Sequence, residues 1–457
     1  MAVVPERAIL VGIEWKGRAP GAKGSKNQLG AFSPSDPEES LDELAELAAS
    51  AGAVVLDRMS QARQAPEAAT LLGQGKVREL AALASSLRAD LVVFDHDLTP
   101  TQQRNLEDAL EVRVLDRTQL ILDIFARRAR TREGRLQVEL AQLMYLQPRL
   151  TGHGKEMSRL GGGIGTRGPG ETKLETDRRR IGRKIKMLRD ELEGVRSGRA
   201  LHRRQRDSVP LGTLALVGYT NAGKSTLFNR LTHAGVMADA RMFATLDPTV
   251  RALTLPSRRR VLISDTVGFI RSLPTTLVKA FRATLEEVTE AALILHVIDI
   301  SSPQASRQTA HVQSVLGEIG AAAIPQLLVL NKVDKLSTGG VDADAIGRRL
   351  VGEAGIKIDA QAVAVSGLTG QGLEALTEAI DRVLPFDTLV RARFQFPVNE
   401  GANISLLHQL GRVLDARYGE THCEIDAEVP ESLCHTLAAF LVAREPVENF
   451  VGNGPSS

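Results

Sequence analysis

The sequence predicts a multidomain α/β protein, and three observations carry that expectation. Short apolar runs such as Leu91-Val-Val-Phe94 and Leu214-Ala-Leu-Val217 alternate with stretches of helical apolar spacing, the pattern of parallel strands joined by helices. One run leads straight into Gly218-Tyr-Thr-Asn-Ala-Gly-Lys-Ser225 and then a helical stretch, which is the strand, glycine loop and helix of a phosphate-binding P-loop. A polar, basic region with apolar residues at alternating steps of three and four separates two such α/β stretches, and marks helices with a narrow seam.

The 457 residues suffice for about three or four domains at ~100–150 residues each. Hydrophobic residues are 43% and charged residues 25%, ordinary for a globular protein. No apolar run approaches the ~20 residues of a membrane helix. Met1-Ala-Val-Val-Pro-Glu-Arg7 lacks a signal-peptide layout. The expectation is a cytoplasmic monomer without a membrane span, with peripheral membrane contact still open. The two cysteines, Cys423 and Cys434, fit no zinc template and read as reduced thiols. Net charge is +2, yet residues 155–206 hold 16 Lys and Arg against 7 Asp and Glu, so basic character is concentrated there.

Residues 8–14 read as a first strand and 17–38, rich in Gly, Ser, Pro and charge, as a loop. A helix follows from Leu41, then strands at Ala53-Val-Val-Leu56 and Leu91-Val-Val-Phe94, a helix capped near Thr99, and a strand at 112–115. These make a small α/β domain, 1–117, with a largely parallel sheet. Within it, Leu72-Gly-Gln-Gly-Lys76 reads as a turn entering the helix from Val77. From Asp116, Leu122, Phe125, Ala129, Leu136, Leu140 and Leu143 recur at helical steps, and Ile181, Ile185, Leu188, Leu192 and Val195 resume the pattern. Two helices of similar length are expected, an antiparallel hairpin over 118–207. Its tip, 151–173, contains six glycines within 161–170, too little apolar surface to offset the entropy of ordering them. Arg167, Lys173, Arg178, Arg179, Arg180, Arg183 and Lys184 flank that tip, and a basic stalk with a glycine tip suits a phosphate-lined surface. Residues 197–210 read as a linker. A G domain follows over 208–384. The last unit, 385–457, is read as a strand, a helix from Ile404 to Val413, a strand near 421–428 and a helix from Ser432 to Ala443.

Within the P-loop, Gly218 and Gly223 allow the turn that aims Tyr219, Thr220, Asn221 and Ala222 N–H groups at phosphate oxygens. Lys224 reaches the β- and γ-phosphates, Ser225 offers a hydroxyl to Mg²⁺, and Thr226 continues the helix. Downstream, Val261-Leu-Ile-Ser264 ends in Asp265-Thr266-Val267-Gly268, with Asp265 placed to hold Mg²⁺ through water and the Gly268 N–H to meet the γ-phosphate. Between them, Phe243-Ala244-Thr245-Leu246-Asp247-Pro-Thr249 supplies Thr245 to complete the Mg²⁺ shell, with Thr249 as its rival. Catalysis is expected from Lys224, Thr245 and Gly268. Leu327-Leu-Val-Leu330 ends in Asn331-Lys332-Val333-Asp334. A carboxylate there accepts two hydrogen bonds from guanine, and adenine has no such donor pair. Ser366-Gly367-Leu368 follows a further strand and can meet the guanine oxygen. All these motifs sit at strand ends, where α/β folds bind ligands. The ligand expected is GTP or GDP with Mg²⁺.

The P-loop, Phe243–Thr249, Asp265-Thr-Val-Gly-Phe-Ile270, Asn331–Asp334 and Gly161-Gly-Gly-Ile-Gly-Thr-Arg-Gly-Pro-Gly-Glu-Thr-Lys173, with Leu72–Lys76 and Val114-Leu-Asp-Arg-Thr118, resemble the HflX family of translation-associated GTPases over residues 40–385. The resemblance implies a Ras-like G domain, binding to the large (50S) ribosomal subunit and its RNA, and GTP-dependent splitting or rescue of stalled ribosomes. It also implies K⁺ held by Asn221. Two other readings stay open: a GTPase of RNA maturation, and a nucleotide-gated RNA-binding switch with negligible turnover.

Overall fold

The fold was analysed in a computed structural model, which describes residues 5–16, 37–151, 169–207, 212–234, 242–243, 245–246, 248–271, 282–336, 342–353, 361–384 and 389–446. The N-terminal unit comprises β1 (Arg7–Trp15), α1 (Pro37–Ser50), β2 (Val54–Arg63), α2 (Gln74–Leu87), β3 (Leu91–Phe94), α3 (Pro100–Leu110), β4 (Arg113–Asp116) and α4 (Arg117–Arg128). Its four strands are parallel in the order β2-β1-β3-β4. Alternating side chains of β1 enter two cores. Ala8 and Leu10 face α1 and α4, while Ile9, Val11 and Ile13 pack with residues of α2 and α3. Such two-sided burial gives β1 and β3 their continuous apolar sequence. Helix α3 starts at a capping box: the Thr99 hydroxyl accepts from the Gln102 N–H, and the Gln102 side chain accepts from the Thr99 N–H. The loop expected at 17–38 lies outside the described residues up to 36, and α1 begins at Pro37.

The helical region departs from expectation in three ways. Leu122, Phe125 and Ala129 do not belong to the hairpin; α4 carries Leu122 and Phe125, and all three pack with α1 in the N-terminal core. The hairpin's first helix is α5 (Arg132–Leu146), started by the Thr131 hydroxyl accepting from the Gly134 N–H at 2.9 Å. Its partner α6 (Pro169–Asp207) has 39 residues against 15, so the two are not of similar length. Helix α6 begins within the stretch read as the tip and continues through the residues read as a linker up to Asp207. The two helices run antiparallel: Leu136, Leu140, Leu143 and Met144 meet Ile181, Ile185, Leu188 and Leu192, Glu139 pairs with Lys184 and Arg132 with Glu191.

The third unit is a six-stranded sheet of order β10-β9-β8-β5-β7-β6. It contains β5 (Thr213–Gly218), α7 (Lys224–Thr232), β6 (Thr249–Thr254), β7 (Arg260–Asp265), α8 (Arg282–Thr289), β8 (Leu293–Asp299), α9 (Ala305–Glu318), β9 (Gln326–Asn331), α10 (Ala343–Glu353), β10 (Ala362–Ala364) and α11 (Leu373–Val383). Among the described residues of this sheet, only the β6–β7 pair is antiparallel. The C-terminal unit runs β11 (Leu389–Pro397), α12 (Gly401–Leu410), β12 (Arg412–Tyr418), β13 (His422–Pro430), α13 (Glu431–Thr436) and β14 (Leu441–Pro446), with antiparallel order β12-β13-β11-β14. Val413 therefore lies in a strand, and the last helix stops at Thr436, leaving Leu441–Ala443 to β14.

One apolar core joins the first and third units. Tyr219, Met242, Phe243, Leu246, Val267, Phe269 and Ile270 are buried in the same cluster as Leu41, Leu44 and Phe125. The phosphate-side loops are thus walled by the N-terminal sheet's α1/α4 layer.

Candidate nucleotide and metal site

The buried strand β5 delivers the P-loop, and α7 starts at Lys224 behind it. Gly223 has φ +91°, and a Cβ there would lie 2.4 Å from Asn331 Nδ2, so only glycine fits. The Lys224 ammonium is buried and donates to the carbonyls of Gly218 (3.1 Å) and Tyr219 (2.8 Å). Burial lowers its pKa to about 8, against the opposing pull of Asp265. It stands beside Gly268, where a Cβ would lie 2.9 Å from Thr220 Cα and 3.0 Å from Lys224 Nζ.

Three oxygens close a triangle beside this lysine. Ser225 Oγ and Thr245 Oγ1 each lie 2.7 Å from Asp265 Oδ2, and 2.8 Å from each other. Burial raises the Asp265 pKa, opposed by those two hydroxyls and by Lys224. Among the described residues, the buried Asp265 Oδ1 and Thr220 Oγ1 find no hydrogen-bond partner. An all-oxygen donor set around a buried carboxylate with an unmatched oxygen fits a hard divalent cation such as Mg²⁺. Among the described residues no group of three or more His, Cys, Asp or Glu could hold a metal, so this mixed hydroxyl–carboxylate set is the metal candidate. Thr249 instead begins β6, paired with Asp265 in the ladder.

The base side is tied to the P-loop by Asn331. Its Nδ2 donates to the Ala222 carbonyl at 2.8 Å, and its Oδ1 accepts from the Gly367 N–H at 2.9 Å. Lys332, with φ +68°, ion-pairs with Asp299 at 2.6 Å. Asp334 Oδ1 accepts from Ser366 Oγ at 2.6 Å, which holds the carboxylate beside the Ser366–Leu368 loop. Val333 is buried, and the Leu368 carbonyl accepts from Arg230.

The sequence-derived residues divide by role. Lys224, Ser225, Thr245, Asp265 and Gly268 converge, as do Asn331, Asp334, Ser366 and Gly367. The side chains of Tyr219, Phe243, Leu246 and Val267 pack inward instead, with the Phe243 ring 4.5 Å from that of Phe125; these four can offer a nucleotide only backbone. Asn221 is exposed at φ +61°. Ala244, Asp247 and Arg167 lie outside the described residues, as does the side chain of Lys173. Arg178, Arg179, Arg180 and Arg183 are exposed on α6. Sequence reading missed the polar cluster behind the P-loop, formed by Ser40, Glu43, Asp95, Arg117 and Arg271. Its one visible trace was Val114-Leu-Asp-Arg-Thr118, of which Asp116 caps α4 through the Gln119 N–H and Arg117 enters the cluster.

Three family models match the chain: "GTP-binding GTPase N-terminal" over 38–126, "GTP-binding GTPase Middle Region" over 128–206 and "50S ribosome-binding GTPase" over 213–332. Among curated relatives, a "GTPase HflX" of Caldanaerobacter subterraneus is 46% identical over 90% of this chain and 92% of its own length. The "GTPase HflX" of Escherichia coli is 44% identical over 83% of this chain and 87% of its own. Among solved structures, a GTP-binding protein of Sulfolobus solfataricus in complex with GDP matches 83% of this chain and 98% of that chain, at 23% identity and TM-score 0.44.

Proposed function

The chain belongs to the HflX family of GTPases, and from that premise we propose that it binds the large ribosomal subunit and couples GTP binding and hydrolysis to the splitting or rescue of stalled ribosomes. The observation that carries the catalytic half is the Ser225–Thr245–Asp265 triangle beside the buried Lys224. The ribosomal half is supported by the match to a model described as a 50S ribosome-binding GTPase and by the exposed arginines of α6.

In this reading the P-loop N–H groups and the N-terminus of α7 take the β-phosphate. Lys224 exchanges its two carbonyl partners for the β- and γ-phosphates. Ser225 and Thr245, with Asp265 behind a water, would hold Mg²⁺, which would supply positive charge against those phosphates. The Gly268 N–H donates to the γ-phosphate, and Thr245 makes the cation shell sensitive to its presence. Asp334 accepts from guanine N1–H and the exocyclic amine, while Asn331 keeps P-loop and base loop in register. Asn221, which is exposed, would be the residue to hold K⁺ near the phosphates, as the family resemblance implies. A thiol-based RNA modification draws no support, because Cys423 and Cys434 are buried in the C-terminal core.

Sucrose-gradient sedimentation with purified large subunits tests the proposal. The protein should co-sediment with a non-hydrolysable GTP analogue and dissociate with GDP. Equal co-sedimentation in both states would remove the nucleotide switch from this account.

A further inference from the structure

Four charged groups meet where the N-terminal unit joins the P-loop; three are largely buried, and the Arg271 side chain is 28% exposed. Arg117 donates to Asp95 at 2.7 Å and to Glu43, and its guanidinium also reaches the Arg271 carbonyl at 3.3 Å. Arg271 donates to Ser40, which bonds Asp95 in turn. The Tyr219 hydroxyl stands at the centre. It donates to Glu43 Oε2 at 2.6 Å and accepts the backbone N–H of Arg271 at 2.9 Å. The side chains of Arg117, Asp95 and Glu43 are 3%, 6% and 12% exposed. Burying such charges is a poor way to gain stability, since well-packed apolar groups hold an interface as well. What hydrogen-bonded charges add is direction.

The direction here leads to the reaction. Arg271 lies three residues beyond Gly268, and the segment between is sewn to its surroundings. The Phe269 N–H donates to the Gly218 carbonyl at 3.1 Å, the Thr220 N–H to the Phe269 carbonyl at 2.7 Å, and His311 Nε2 lies 3.0 Å from the Ile270 carbonyl. The Tyr219–Arg271 bond closes this seam at its far end. Glu43 decides which way the hydroxyl proton points. With the proton committed to the carboxylate, a lone pair is left for the Arg271 N–H.

We propose that Glu43 is a positioning residue for GTP hydrolysis, acting through the Tyr219 hydroxyl on the Arg271 backbone and so on the placement of the Gly268 N–H. The proposal rests on Gly268 meeting the γ-phosphate. It makes the N-terminal unit part of the hydrolytic machinery rather than a neighbour of it.

The full-length protein tests it by single-turnover hydrolysis and amide exchange. Tyr219→Phe keeps the ring and loses the hydroxyl. It should lower the single-turnover rate about tenfold, leave GTP affinity within about twofold, and speed exchange at the Arg271 amide. Glu43→Leu tests the same link from the other side, should Tyr219→Phe not fold, and should slow turnover similarly. Glu43→Gln, which keeps an acceptor, should recover most of the rate. A normal rate in Tyr219→Phe, or an unchanged Arg271 amide, overturns the proposal. Gly268→Ala separates the two levels. If it hydrolyses GTP at full rate, the assignment of Gly268 falls and takes the proposal with it. If it is slow while Tyr219→Phe is normal, the proposal alone falls.

Discussion

In the proposed reading, the single side chain of Asp334 sets the choice of base. Its Oδ1 is anchored by the Ser366 hydroxyl, so the carboxylate is oriented before any nucleotide arrives. Asp334→Asn offers guanine one acceptor in place of two and adds an N–H that opposes the guanine donors. Losing a charge-assisted hydrogen bond is worth roughly 1.5–3 kcal/mol, or about 10–100-fold in affinity. Competition assays should show GTP binding falling by that factor and xanthosine triphosphate, which carries a carbonyl in place of the amine, gaining. Unaltered discrimination would refute the assignment of Asn331–Asp334. A second residue ties pH to stability. His96 Nε2 accepts from the Trp15 indole N–H at 3.1 Å, which requires the neutral ring. Burial, helped by Arg271 and opposed by Asp97, lowers its pKa to about 4. The folded protein therefore binds this proton less readily than the unfolded chain, whose histidine titrates near 6.5. The stabilisation is fully present above about pH 6.5 and is lost as pH falls toward 4. Trp15 is the only tryptophan, so its emission should report an acid transition in that window. His96→Gln keeps an acceptor for the indole and does not titrate; its transition should move to lower pH.

At the scale of elements, legibility followed burial pattern. Strands β1, β3, β5 and β9 are buried along most of their length, and each stood out as an apolar run. The helix at Thr99 was legible from its cap. Strand β12 was not, because its residues are exposed or half-buried throughout, and neither alternation nor an apolar run survives such a setting. The break between α4 and α5 was hidden for the opposite reason. Apolar residues continue at helical steps across Ala129, although those before the break pack on α1 and those after it begin the hairpin. Helix α6 continues past Gly198 in a sequence whose charge resembles a linker. The phosphate and base motifs were readable because their residues are local and follow strands. The polar cluster was not, since Glu43 and Arg117 are 74 positions apart and Glu43 and Tyr219 are 176. Only the tertiary fold brings such pairs together.

At the scale of the whole molecule, the proposed site has its three cation-side oxygens together, while its water side lacks a polar side chain at the position after Gly268. Ser225, Thr245 and Asp265 already meet, and Lys224 waits on two carbonyls. The position after Gly268, where many Ras-like GTPases place a glutamine that orients the attacking water, holds Phe269. Its ring has no donor or acceptor and is buried in the core shared with the N-terminal unit. It therefore cannot swing out to align water without breaking that core. Meanwhile α6, the basic element, pairs with α5 on one side and precedes β5, whose end is the P-loop, in the sequence. In the proposed reading, a large subunit bound to α6 holds the element that comes before the P-loop strand in sequence. The isolated protein should turn GTP over slowly, and purified large subunits should raise kcat at least tenfold while KM for GTP changes by no more than about threefold, the signature of an interaction made in the transition state rather than in binding. Measuring both parameters with and without the particles decides the matter. Fast turnover alone, unaltered by ribosomal subunits, would mean that the water is already positioned within the chain and that the buried Phe269 leaves nothing for a partner to complete.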